Sequence, residues 1–117
     1  MTTAPEPDTQ TVVVSLGAAQ PGTGGAIWSL PHGGDLDANL IRLAFGDSIG
    51  EHVNDEVDVV LVIQEGSGVV SVNEVAYDVA PPYLVQVPKG VRRSIEAGPS
   101  GLGYLSIHRR RGPLAIG

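Results

Sequence analysis

With 117 residues, 13 Asp and Glu against 7 Lys and Arg, and no Cys, the chain has room for one domain. The missing cysteines exclude a disulfide framework, a thiol nucleophile and a thiolate metal site. A net charge of −6 argues against sequence-independent nucleic-acid binding, which needs a positive face to displace phosphate counterions. That charge is unevenly placed. Residues 1–88 carry −11, with Arg42 as their only base, whereas residues 89–117 carry +5 from Lys89, Arg92, Arg93, Arg109, Arg110 and Arg111 against Glu96. No apolar run approaches the ~18 residues of a membrane span, and Met1 to Asp8 lacks the basic and apolar regions of a secretory signal. The expected setting is therefore cytoplasmic, with neither membrane nor nucleic acid as partner. Roughly two-thirds of the surface of a chain this long is buried on folding, so one ordinary core is feasible.

Along the chain, residues 1–10 are rich in Pro, Thr and acids and read as a flexible lead-in. The folded body is expected over 11–108 and a basic tail over 109–117. Nine short β-branched or aliphatic pieces predict strands at 11–16, 26–30, 39–45, 57–64, 68–72, 75–79, 83–87, 92–96 and 103–108. The first is expected to add to a sheet edge. Gly, Pro, Asn and Asp separate the pieces, the pattern of an antiparallel sandwich or barrel. Only Pro31 to Ala38 lacks strand character, and Gly33-Gly34 leaves no more than a helical turn there.

Two connections predict local geometry. Glu65-Gly-Ser-Gly68 ends the most apolar strand, and Asn73-Glu74 has the length of a two-residue hairpin turn, so the expectation is a three-stranded meander. The strand at 83–87 is bounded by Pro81-Pro82 and Pro88, which cannot donate to a ladder.

Candidate chemistry is sparse. There is no G-x-S-x-G, no H-E-x-x-H and no P-loop, so hydrolase, zincin and nucleotide-phosphate readings lack a motif. His32 sits on a predicted loop and receives no role. Tyr104, Ser106 and His108 share one strand face, which turns either to the interior or to the outer sheet. Arg109-Arg110-Arg111 has no aromatic interleaving or reader motif and is expected to be solvated or paired with the acidic body.

The pattern around two further segments is more specific. Gly46-Asp-Ser-Ile-Gly-Glu-His52-Val-Asn54-Asp-Glu-Val-Asp58, followed by Val59 to Glu65 and then Gly66, resembles the first motif of the cupin superfamily, G-x5-H-x-H-x3,4-E-x6-G. Asn54 stands in place of the second His, Asp58 in place of the Glu, and the closing Gly is one residue late. Pro82-Tyr-Leu-Val-Gln-Val-Pro88-Lys-Gly90-Val-Arg-Arg93-Ser-Ile-Glu-Ala97 resembles the second motif, G-x5-P-x-G-x2-H-x3-N. Here Pro88 and Gly90 fit, and Arg93 replaces the His. The resemblance covers residues 39–108 and implies an all-β, single-domain antiparallel β-barrel of the jelly-roll type, forming a homodimer.

In metal-binding members these positions present three imidazoles and a carboxylate to a divalent ion. This chain retains His52 and Asp58, with Asn54 as a weak oxygen donor. Arg93 cannot ligate a cation, and its charge about 5 Å from a divalent ion would cost roughly 6–7 kcal/mol at an effective dielectric near 20. The leading expectation is therefore a pocket without a metal cofactor. In it Arg93 pairs with Asp58, and a small organic molecule binds against His52, Asn54, Asp58 and Arg93. Removing Arg93 from a dry pair would cost about 3–5 kcal/mol. Two alternatives stay open: a metal-dependent dioxygenase or isomerase using His52 and Asp58 with one divalent transition metal, and a non-catalytic structural or regulatory dimer module. No catalytic residue is assigned.

Overall fold

Most of the β-branched pieces become strands, but glycines bend a strand where a chain reversal was expected. A computed structural model describes residues 11–17, 21–31 and 34–111. His32 lies outside the described residues. Among the described residues seven strands form: β1 (Gly25–Ser29), β2 (Leu36–Leu43), β3 (Ser48–Val53), β4 (Val59–Val72), β5 (Val75–Val79), β6 (Leu84–Val87) and β7 (Arg92–Arg109). Every pairing is antiparallel. The described residues contain no helix, and so none that could cross a membrane.

The nine predicted pieces and the seven strands do not match one to one: four pieces fuse in pairs, the piece at 11–16 forms no strand, and β3 forms at Ser48–Val53 where no strand was predicted. The pieces at 57–64 and 68–72 are both parts of β4, and those at 92–96 and 103–108 are both parts of β7. Glu65-Gly-Ser-Gly68 is therefore not a turn, and the expected meander reduces to one hairpin. The chain continues through register slips at Ile63/Glu65 and Gly66/Gly68, which are bulges that bend a strand without ending it. Gly66 and Gly101 have φ of +73° and +80°. A Cβ on Gly66 would land on the Gly101 carbonyl, and one on Gly101 would lie 2.8 Å from the Leu43 carbonyl oxygen. Only glycine permits this approach of three backbones at one corner.

The corner divides the sheet into two halves. Residues 102–109 of β7 pair with β2 and with residues 59–66 of β4, while β1 and β6 complete that half. Residues 92–97 of β7 pair with β3 and with residues 68–72 of β4, and β5 completes the second half. The core draws on both halves at once. Leu43, Leu61, Ile63, Leu102 and Tyr104 pack in one cluster with Val70, Val79 and Ile95, so the halves face each other across a shared interior.

The hairpin between β4 and β5 forms as its sequence predicts. Asn73 and Glu74 have φ of +52° and +72°, the left-handed pair of a type I′ turn. Strand β6 runs between its prolines and pairs with β4 alone. The expected N-terminal edge strand at 11–16 does not form. The free edge of β2 is taken by β1, in register from Gly25–Arg42 to Ser29–Asn39, and Val13 is 94% exposed. The Gly17 carbonyl instead accepts a 2.6 Å hydrogen bond from Arg42 Nη2.

Candidate functional site

The interior changes character along β7. Its inward row reads Leu102, Tyr104, Ser106 and His108, so the barrel passes from apolar to polar within three strand steps. The flanking strands repeat the gradient: Ile41 and Ile63 sit beside Tyr104, and Asn39 and Leu61 beside Ser106. A cavity of about 230 Å³ opens at this polar end. It is smaller than the roughly 300–1,000 Å³ pockets that take drug-sized ligands. Tyr104, Ser106 and His108 therefore turn to the interior, and Arg93, His52, Asn54 and Arg111 also line the cavity.

Arg93 is 5% exposed. Its Nε donates to the Val91 carbonyl (3.0 Å) and its Nη2 to the Pro88 carbonyl (3.2 Å). Among the described residues the ion pairs are Arg42–Glu65, Arg92 with Glu51 and Glu74, and Arg111–Glu56, and none involves Arg93. The guanidinium thus meets only neutral acceptors. Burial, and next the like charge of Arg111, hold its pKa below the usual arginine value.

The expected Arg93–Asp58 pair is not present. Strand β3 ends at Val53, and Asn54 Oδ1 accepts the backbone N–H groups of Glu56 (2.9 Å) and Val57 (3.2 Å), which turns the chain. This turn breaks the alternation that would have carried Asp58 inward. Val57 is buried in its place, and Asp58 is exposed, with Oδ1 accepting the Lys89 N–H at 2.8 Å. The Asn54 carbonyl also accepts the Gly90 N–H at 2.7 Å, so Asn54 and Asp58 tie the 54–58 loop to the 88–90 turn. Asp58 is a tether outside the cavity, not a wall of it. The Asn54 side-chain oxygen is already used in its own turn.

His52 reaches the cavity edge opposite Arg93, its register partner on β7. His52 Nδ1 lies 2.9 Å from the Gly50 carbonyl, and His108 Nδ1 lies 2.9 Å from the Arg109 carbonyl. Each carbonyl selects the tautomer with the proton on Nδ1 and leaves Nε2 as the free ring nitrogen. The Tyr104 hydroxyl has no hydrogen-bond partner within the protein among the described residues. Burial pushes its pKa well above the ordinary tyrosine value, so the phenol stays protonated and can donate.

These side chains do not fit the divalent metal of metal-binding cupins. The cavity offers two imidazoles and two guanidiniums, no Asp or Glu lines it, and no group of three His, Cys, Asp or Glu able to hold an ion occurs among the described residues. Tyr104, Ser106, His108, Asn39 and Arg111 were not picked out as site residues by motif. For the first three the signal was their shared parity on the last strand. Arg111 was marked only as part of the Arg109–Arg111 run, and nothing local marked Asn39.

Neither a protein-family model nor a curated protein matches the chain. Solved structures do. It superposes on a cupin protein from Bacteroides fragilis with a TM-score of 0.61 at 16% identity, covering 72% of this chain and 73% of that one. The match to KdgF from Halomonas sp. has a TM-score of 0.67 at 15% identity and covers 74% and 78%. A cupin superfamily protein from Desulfitobacterium hafniense gives 0.63 at 23% identity, covering 70% and 73%.

Proposed function

The chain has the cupin fold, and we propose that its barrel interior binds a small organic anion through Arg93, with no metal ion. One observation carries this reading: a buried guanidinium lined up with a cavity, hydrogen-bonded only to carbonyls and without a carboxylate partner. Burying a charge without a counter-charge is costly, and an anion entering the cavity offsets that cost. The protonated Tyr104 phenol adds a donor to the same space, and the His52 and His108 rings line it. Aliphatic walls from Ile41, Leu61 and Ile95 suit a carbon skeleton in place of bare inorganic ions. Titration calorimetry with small carboxylates tests the idea. Arg93→Met should weaken binding by about 2–5 kcal/mol, the range for removing one partner of a buried charge pair. Unchanged affinity in that variant would refute the reading. The same substitution should leave the ligand-free protein as stable or more stable, because it removes an unpaired buried charge.

The homodimer belongs to the same proposal. Leu105, Val62 and Leu84 form a row across the outer face of β7, β4 and β6, continued on β2 by Leu40, which is already buried within the chain. Leu84 and Leu36 on that side are 61% and 55% exposed, an apolar patch that a second copy would cover.

A further inference from the structure

The cavity contains a second guanidinium, and the two define the charge of the preferred ligand. Resting on the anion-binding reading above, we propose that the pocket selects dicarboxylates on a short aliphatic stem, with one carboxylate on Arg93 in its depth and the other on Arg111 at its mouth.

Arg111 lines the same cavity as Arg93 but sits at its exposed end, where Nε pairs with Glu56 Oε1 at 3.3 Å and both side chains are about half exposed. The strand end that carries it is well anchored. Arg109 Nη2 donates to the Glu56 carbonyl (3.2 Å), and the Arg110 N–H donates to the Asp35 carbonyl (2.6 Å). Arg111 thus follows two residues that are each tied to another segment, one to the 54–58 loop and one to Asp35.

Two like charges share one small space, and no Asp or Glu lines it. Arg93 is affected by this neighbour, since the charge of Arg111 adds to burial in disfavouring its protonated form. A monoanion on Arg93 leaves Arg111 to Glu56 and the solvent. A dicarboxylate answers both cations, and its methylenes lie against Ile41, Leu61 and Ile95, which offer no hydrogen bonds. Glu56 is then the ligand's competitor for Arg111. Its pair with Arg111 is solvent-exposed and cheap to exchange. A compact dianion such as inorganic phosphate concentrates its charge at one point and leaves the aliphatic wall of Ile41, Leu61 and Ile95 without a partner.

The test is calorimetric titration of the full chain with glutarate, butyrate and inorganic phosphate at low salt. Glutarate should bind about five- to tenfold tighter than butyrate, and the preference should shrink as salt is added. Arg111→Gln should abolish the preference, weakening glutarate several-fold more than butyrate. Glu56→Gln should strengthen glutarate alone, by about twofold, because the rival carboxylate is gone. Equal glutarate and butyrate affinity in the unaltered protein, both lost in Arg93→Met, would overturn dicarboxylate selection and leave the anion-binding reading intact. A preference that survives Arg111→Gln, or phosphate binding as tightly as glutarate, would likewise overturn it. No binding of either carboxylate would remove both readings.

Discussion

Tyr104 shows how one buried polar atom acquires a measurable pH signature. Its ring is packed in the core while its hydroxyl faces the cavity end of the barrel, and burial keeps the phenol protonated well past the ordinary value of 10.0. Above pH 10 the unfolded chain releases this proton and the folded chain keeps it. The unfolded state then binds fewer protons, so stability falls as pH rises, by up to about 1.4 kcal/mol per pH unit. Denaturant unfolding from pH 9 to 11 should show this decline in the unaltered protein, and Tyr104→Phe should remove that part of it. Identical slopes would mean that the phenol is not held in its neutral form. Arg93 and Asn54 teach a related point about reading single residues. The motif resemblance located both, but it could not show that the Asn54 oxygen is consumed by its own turn. Nor could it show that Arg93 would find carbonyls where a carboxylate was expected.

At the level of elements, the decisive feature is the corner in β4 and β7. Glycines in an apolar strand are ambiguous in sequence, because the same residue that permits a reversal also permits a bulge and a close backbone approach. The choice depends on what lies opposite. Here Gly101 of β7 sits against Gly66 of β4, so the strand bends over its partner and continues. Gly66→Ala would combine the left-handed backbone cost with a clash against a carbonyl that cannot move aside. It should destabilise the protein by about 2–5 kcal/mol in urea unfolding. A cost below about 1 kcal/mol would show that the corner relaxes easily. The hairpin at Asn73-Glu74 was legible because it is purely local: its length alone requires the left-handed turn that forms. The 11–16 run failed as a strand for the opposite reason. Its β-branched residues were suitable, but β1 takes the edge of β2, and alternation within 11–16 could not show which segment would occupy it.

For the whole molecule, the uneven charge resolves into short-range pairing across the cavity mouth and the sheet surface. Arg111 meets Glu56, Arg92 lies between Glu51 and Glu74, and Arg42 pairs with Glu65. Part of the basic end therefore returns to the acidic body, while Arg93 is, among the described residues, the buried cation without an acid. The outer leucine row is the other large-scale feature. If it is the dimer face, sedimentation should give a dimer for the unaltered chain and a monomer for Leu84→Asp, with little change in the monomer's own fold because Leu84 is 61% exposed. A monomer at micromolar concentration before any substitution would rule out that face.

The sequence by itself determined the all-β class, most of the strands, the β4–β5 hairpin, the proline-bounded β6 and the cupin resemblance. These rest on alternation, turn length and residue spacing, which are local properties of the chain. Only the tertiary structure decided which of the spaced residues share the cavity. Side-chain direction depends on where a strand stops, and the Asx turn at Asn54 moved Asp58 outside while the register of β7 brought Tyr104, Ser106 and His108 in beside Arg93. Arg111 joined them only because the end of β7 packs over the 54–58 loop, a contact between segments more than fifty residues apart.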